Sequence, residues 1–179
     1  MQRFALLTIA ILVWLAMFAA MLPGTFEDAG AEDEWLPERY TDIDAASYDV
    51  GYHIPALHGA PGWRMQGIFV AWRGDTGLVD VTYVSDTSAL LTLSVNRRRE
   101  FSPYIQAKDD GAEARTLERV RFAGRYVELE TFQTNTVEVM TTRWVRNGMP
   151  ITATAFVYPG KDGGMLSQQQ FLDALETVH

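Results

Sequence analysis

The amino-acid sequence predicts an α+β fold: an antiparallel sheet of about six or seven strands with a C-terminal helix packed on one face, preceded by one N-terminal transmembrane helix. Three features carry that expectation. Residues 4–22 form an unbroken apolar run of nineteen residues in which only Thr8 is polar. From Tyr48 onward, apolar and polar residues alternate in short segments punctuated by Gly, Pro, Asn and Asp, as strands with one buried face require. Near the end, Ser167 precedes an amphipathic segment of helical period.

A helix over residues 4–22 spans roughly 28 Å, the depth of a bilayer's hydrocarbon core. Arg3 stands before the run and acids follow it. This predicts an N-terminus inside the cytoplasmic membrane and the remainder outside it, with residues 4–22 as the membrane contact. Pro23 and Gly24 end the helix, because proline cannot continue it. A retained single-pass anchor is the expected form. The alternative is secretion after cleavage near Ala31, where Ala29, Gly30 and Ala31 have the small-x-small pattern of a signal site. Against that alternative, the apolar run exceeds the roughly 7–15 residues usual in a signal peptide. Only two residues precede Arg3, so no cytoplasmic signalling domain is expected.

The net charge of −8 is unevenly placed. Nine acids and one base, Arg39, lie at positions 24–50, whereas beyond Val50 fourteen acids nearly balance thirteen bases. The expected organisation is therefore a transmembrane segment at 1–23, an acidic and mostly extended linker at 24–47, and an extracytoplasmic domain at 48–179. Trp35, Leu36 and Pro37 interrupt the linker, as a local turn, as an aromatic resting at the membrane interface, or as a docking motif for a membrane partner. The chain has no cysteine, which removes disulfides, thiolate metal sites and a cysteine nucleophile. Its bases form no stripe with interleaved aromatics, so no nucleic-acid partner is expected.

Within the domain, a first short strand is expected at 49–54, ahead of Pro55. Strands at 65–72 and 78–84 flank the loop Arg73-Gly74-Asp75-Thr76-Gly77, and a third at 89–95 completes a meander. Three arginines, Ser102-Pro103 and Asp109-Asp110-Gly111 then break the rhythm, which predicts a surface loop. Strands resume at 117–122 and 126–132 around Ala123-Gly124, and Asn147-Gly148 joins 137–146 to 150–158 by the type I′ turn that matches strand twist. The closing helix, 168–178, carries a stripe of Phe171, Leu172, Leu175 and Val178.

Chemistry-bearing patterns are sparse. The histidines are His53, His58 and His179, and none has the helical spacing or neighbouring carboxylate of a zinc site or a hydrolase base. Glu128 and Glu130 alternate with apolar residues and are expected on a solvated face. No phosphate-binding or dinucleotide glycine motif is present, and no cofactor or metal is expected. The tripeptide Arg73-Gly74-Asp75 has the form of an adhesion motif, but a hairpin loop accounts for it. Arg97, Arg98 and Arg99 are either solvated strand-end residues or contacts for anionic headgroups. Trp63, Trp72 and Trp144 are either core residues or the walls of an apolar groove.

The segment Tyr48-Asp49-Val50-Gly51-Tyr52-His53-Ile54-Pro55, followed by Ala60-Pro61-Gly62-Trp63-Arg64 and residues 79–95, resembles a family of uncharacterised actinobacterial single-pass membrane proteins. The resemblance implies one membrane helix, a short linker and an extracytoplasmic α+β domain. It implies no catalytic or binding residue. The expected function is a non-enzymatic accessory or interaction module tethered to the outer face of the membrane, as a small subunit contacting a larger membrane complex. The alternative is a carrier that binds a lipid or other apolar ligand against its sheet.

Overall fold

Period-two alternation and tight turns produce a single antiparallel sheet of eight strands in the computed structural model, which describes residues 37–73, 76–96, 98, 101, 114–133, 137–158 and 166–179. Its elements are β1 (Glu38–Tyr40), α1 (Ile43–Val50), β2 (Trp63–Arg73), β3 (Thr76–Ser85), β4 (Leu90–Asn96), β5 (Ala114–Phe122), β6 (Arg125–Gln133), β7 (Glu138–Arg146), β8 (Met149–Val157) and α2 (Gln168–Glu176). The strand order is β1-β2-β3-β4-β8-β7-β6-β5. Two four-strand meanders thus meet where β4 pairs with β8, with Leu91 opposite Ala155 and Leu93 opposite Ala153.

Turn chemistry sets the hairpins. Asn147 and Gly148 have φ of 51° and 76°, the left-handed pair that a type I′ turn demands. Ala123 and Gly124 adopt the same pair at 47° and 78°, so Ala123 accepts a conformation that L residues disfavour. One irregularity interrupts the β2–β3 ladder, a register shift between Met65 and Gly67.

Both helices pack on one face. Val79, Val81, Leu91, Leu93, Ile151, Ala153, Leu129 and Met140 point to that side and join Ala46 and Val50 of α1 with Phe171 and Leu175 of α2 in one core. Helix α2 starts with a full capping box. The Ser167 hydroxyl accepts from the Gln170 N–H, and the Gln170 side chain accepts from the Ser167 N–H. Past the helix, Val178 forms a bridge with Leu57, flanked by Ala56 N–H to His179 C=O at 3.1 Å and the reciprocal bond at 2.9 Å.

The structure corrects the expected fold class. The described residues are mostly β, with eight strands in place of six or seven and helices of only eight and nine residues. The extra strand, β1, has three residues, too few to show a period, and lies in the acidic stretch expected to be extended linker. The strand expected at 49–54 is absent. Asp42 accepts a 2.8 Å bond from the Ala45 N–H to start α1, and Gly51 at φ 74° stops it. No helix among the described residues is long and apolar enough to cross a membrane, and the apolar run 4–22 lies outside them.

The packing predicts unequal costs at two ends of α2. Phe171→Ala empties a fully buried site and should lower unfolding free energy by about 3–5 kcal/mol. Ser167→Ala removes the cap and should cost about 1 kcal/mol. Urea unfolding followed by circular dichroism checks both.

Candidate functional site

Because side chains alternate across a strand, the residues between those of the helix-bearing core form a second face. On most antiparallel sheets such a face is solvated. Here its centre is buried, and it is polar. Thr82, Thr92, Thr141, Thr152 and Thr154 each expose 7 % or less of their surface, as do Asp80 and Glu130.

Strand register lines these residues up in rows running across the sheet. The central row is Gly67, Thr82, Thr92, Thr154, Thr141 and Glu130, each directly opposite the next on neighbouring strands. One step along the strands in one direction runs an apolar row of Val84, Leu90, Phe156, Val139 and Phe132. Phe132, Val139 and Phe156, with Val137 and Leu90, pack as a cluster separate from the main core. One step in the other direction lies a charged row of Asp80, Ser94, Thr152 and Arg143. The face is therefore graded from apolar through hydroxyl to charged.

The threonine row is satisfied at one end only. Thr141 Oγ1 lies 2.6 Å from Thr154 Oγ1 and donates to the Ala153 carbonyl at 3.2 Å. Beyond it, Glu130 accepts from the Arg115 Nε. The hydroxyls of Thr82 and Thr92 are buried and, among the described residues, have no hydrogen-bond partner. At that end the row closes on Gly67. The missing side chain makes room for Arg39, whose Nε would be 3.3 Å from an added Cβ, while its NH2 donates to the Gln66 carbonyl at 3.2 Å. Arg39 also lies over the Phe69 ring, 5.9 Å from its centre.

Asp80 accepts a 2.5 Å bond from the Ser94 hydroxyl. Burial pushes its carboxyl up from 3.8 to about 6, and the Ser94 bond pulls the other way. Desolvation of the charged form outweighs one hydroxyl bond. Asp80 therefore changes from hydrogen-bond donor to acceptor in mildly acidic conditions. Arg143, across the same row, has its guanidinium 5.9 Å from the Phe101 ring centre.

The residues expected to be functional are scattered. Trp144 is buried in the helix-side core, edge-on to Phe122 at 5.3 Å. Trp63 and Trp72 sit at opposite ends of β2, half-buried against the same core, and β3, β4 and β8 separate them from β7. The three do not converge on one groove. Trp63 instead reaches an open cleft of about 380 Å³ with Asp86, Gln170 and Asp173, where Asp86 also pairs with Arg64 at 3.8 Å. Pro37 is exposed just before β1, and Trp35 and Leu36 lie outside the described residues. Arg98 is exposed after β4, and Arg97, Arg99, Gly74 and Asp75 also lie outside.

His53 is exposed, and His58 stacks edge-on against His179 at 5.6 Å. His179 Nδ1 is 2.9 Å from Arg146 NH2; the guanidinium donates, so Nδ1 accepts. Glu128 is exposed as expected, but Glu130 is not; only 4 % of its surface is open. Among the described residues, no group of three or more His, Asp or Glu could hold a metal ion.

Sequence reasoning did not single out the threonines, because alternation marks only which residues avoid the core. A signal was present in Thr152-Ala153-Thr154, with β-branched polar residues flanking a small core residue. Comparison with family models, with curated proteins and with solved structures finds no match. The functional reading therefore rests on this geometry.

Asp80→Asn keeps an acceptor for Ser94 and removes the charge. The group's pKa is raised on folding, so ionised Asp80 opposes folding. That penalty is absent below about pH 4, grows as pH rises to about 6, and is constant above. The variant should match the parent near pH 4 and exceed its stability above pH 6 by on the order of 2–3 kcal/mol. Unfolding curves between pH 4 and 8 check this; a difference independent of pH would contradict it.

Proposed function

We propose that the protein is a non-enzymatic binding module of the cell envelope that takes an amphipathic small molecule against the helix-free face of its sheet. The observation that supports this reading is the pair of buried, unpartnered hydroxyls on Thr82 and Thr92, next to the apolar row of Leu90, Phe156, Val139 and Phe132. An unsatisfied buried hydroxyl costs about 1–3 kcal/mol. A ligand hydroxyl, carbonyl or amide that displaces what covers the two threonines offsets that cost. Its apolar part then lies about 7 Å along the strands, over the phenylalanines. On this reading the carrier, the alternative to the accessory module expected from the sequence, binds at threonines and phenylalanines, away from the tryptophans. Residues 4–22, an apolar run behind Arg3, hold the module at the outer face of the cytoplasmic membrane.

Native mass spectrometry of the full chain, extracted from membranes in mild detergent, tests the reading. A small amphipathic molecule should accompany the parent protein and be lost from the Thr82→Val/Thr92→Val variant, which preserves side-chain shape. The same added mass on both proteins, or none on either, contradicts the proposal. A buried water bridging the two hydroxyls gives the latter result.

A further inference from the structure

The two edges of the sheet are built differently. At one end β1 covers part of β2 and is only three residues long. At the other, β5 pairs with β6 along all nine of its residues, and among the described residues no strand pairs with its outer side. Alternate residues of an edge strand turn their N–H and C=O groups away from the sheet, so β5 offers a straight nine-residue template for another strand. Proteins block such edges with bulges, prolines, charged side chains or a short edge strand, and of these β5 has only the charges, which deter a partner strand unless it carries opposite ones. Pairing from Ala114 to Phe122 is continuous, and the strand contains no proline.

The side chains along this edge are those that protein interfaces favour. Leu117 is 63 % exposed and Tyr126, on the neighbouring strand, 64 %. On the helix-free side of β5, Arg115, Leu117, Arg119 and Arg121 alternate, and Glu118 on the opposite side is the only acid in the strand. Arg115 is held by Glu130, and Arg119 lies 4.9 Å over the Tyr126 ring. Arg121 has no ion-pair partner among the described residues. The edge is therefore basic and part-apolar in a fixed order.

We infer that β5 binds a protein partner by strand addition, taking an extended acidic segment as a ninth, antiparallel strand. Register fixes the partner's pattern. Residues opposite Arg121, Arg119 and Leu117 occur two apart on one face of the added strand, which reads Glu-x-Glu-x-Leu in the partner's chain direction. Main-chain bonds to β5 supply affinity, and the two carboxylates set register and direction. This inference is independent of the Thr82 and Thr92 hydroxyls, which lie on β3 and β4.

The test titrates the full, isotope-labelled chain in detergent with the capped nonapeptide Thr-Val-Glu-Thr-Glu-Thr-Leu-Thr-Thr and reads amide exchange and chemical shifts. Alternate β5 amides should become protected. Binding should weaken at least tenfold in the Arg119→Glu/Arg121→Glu variant and return when lysines replace the peptide's glutamates. That return also shows the variant to be folded. Two further peptides, N-methylated on one or the other alternate set of backbone nitrogens, separate strand addition from charge attraction. One set should abolish binding and the other should leave it intact. Equal binding of both, or no binding by the parent peptide at millimolar concentration, overturns the inference.

Discussion

Pairing of β4 with β8 is the contact on which the rest of this structure depends. Each half of the chain forms a meander from local hairpins, and a meander of four strands has two faces to cover. Only the β4–β8 seam makes either face continuous. On the helix side it sets Leu91 and Leu93 against Ala155 and Ala153, large against small, and the core beneath α2 spreads over both halves. On the other side it sets Thr92 against Thr154 and joins the two halves of the threonine row. The seam links residues about sixty positions apart, so it forms at a substantial loop-closure cost and is expected late in folding.

Continuity across the seam has different consequences on the two faces. Apolar residues gain from burial without needing specific partners, and the helix side is filled by that rule. Hydroxyls and carboxylates gain nothing from burial unless their bonds are remade. In the half of the row next to β7 they are remade, through Thr141, Thr154, the Ala153 carbonyl and the Glu130–Arg115 pair. In the half next to β2 they are not, and the same strands carry Asp80, whose burial favours its neutral form. Unsatisfied buried polar groups of this kind call for a partner, such as a buried water or a ligand, that the described residues do not supply.

Much of the architecture was legible because it rests on local chemistry. Asn147-Gly148 and Ala123-Gly124 mark their turns, period two marks seven of the eight strands, and Ser167 with Gln170 marks the start of the final helix. What escaped is non-local or short. β1 is defined by its pairing with β2, and the helix at Ile43–Val50 sits in an acidic stretch whose cap residues, Asp42 and Gly51, outweigh its lack of an apolar run. The candidate site was hidden for a similar reason. Threonines on a strand's second face look alike whether water or protein covers them, and only the register that sets Thr82, Thr92, Thr154 and Thr141 side by side distinguishes the cases. For the tryptophans the sequence left both a core and a groove open, since large aromatics fill a core as readily as they line a groove, and Trp144 lies in the core.

The central claim is that one row of threonines is stabilising at one end and held against its own stability at the other. Isosteric replacement by valine separates the two most directly, measured as unfolding free energy in urea on protein refolded free of bound small molecules. Thr82→Val and Thr92→Val should each raise stability, by about 1 kcal/mol or more, because each removes an unsatisfied hydroxyl. Thr141→Val should lower it by about 1 kcal/mol, because it removes a satisfied one. If Thr82→Val and Thr92→Val are destabilising to the same degree as Thr141→Val, their hydroxyls have partners in the folded chain, and the account of this face is wrong.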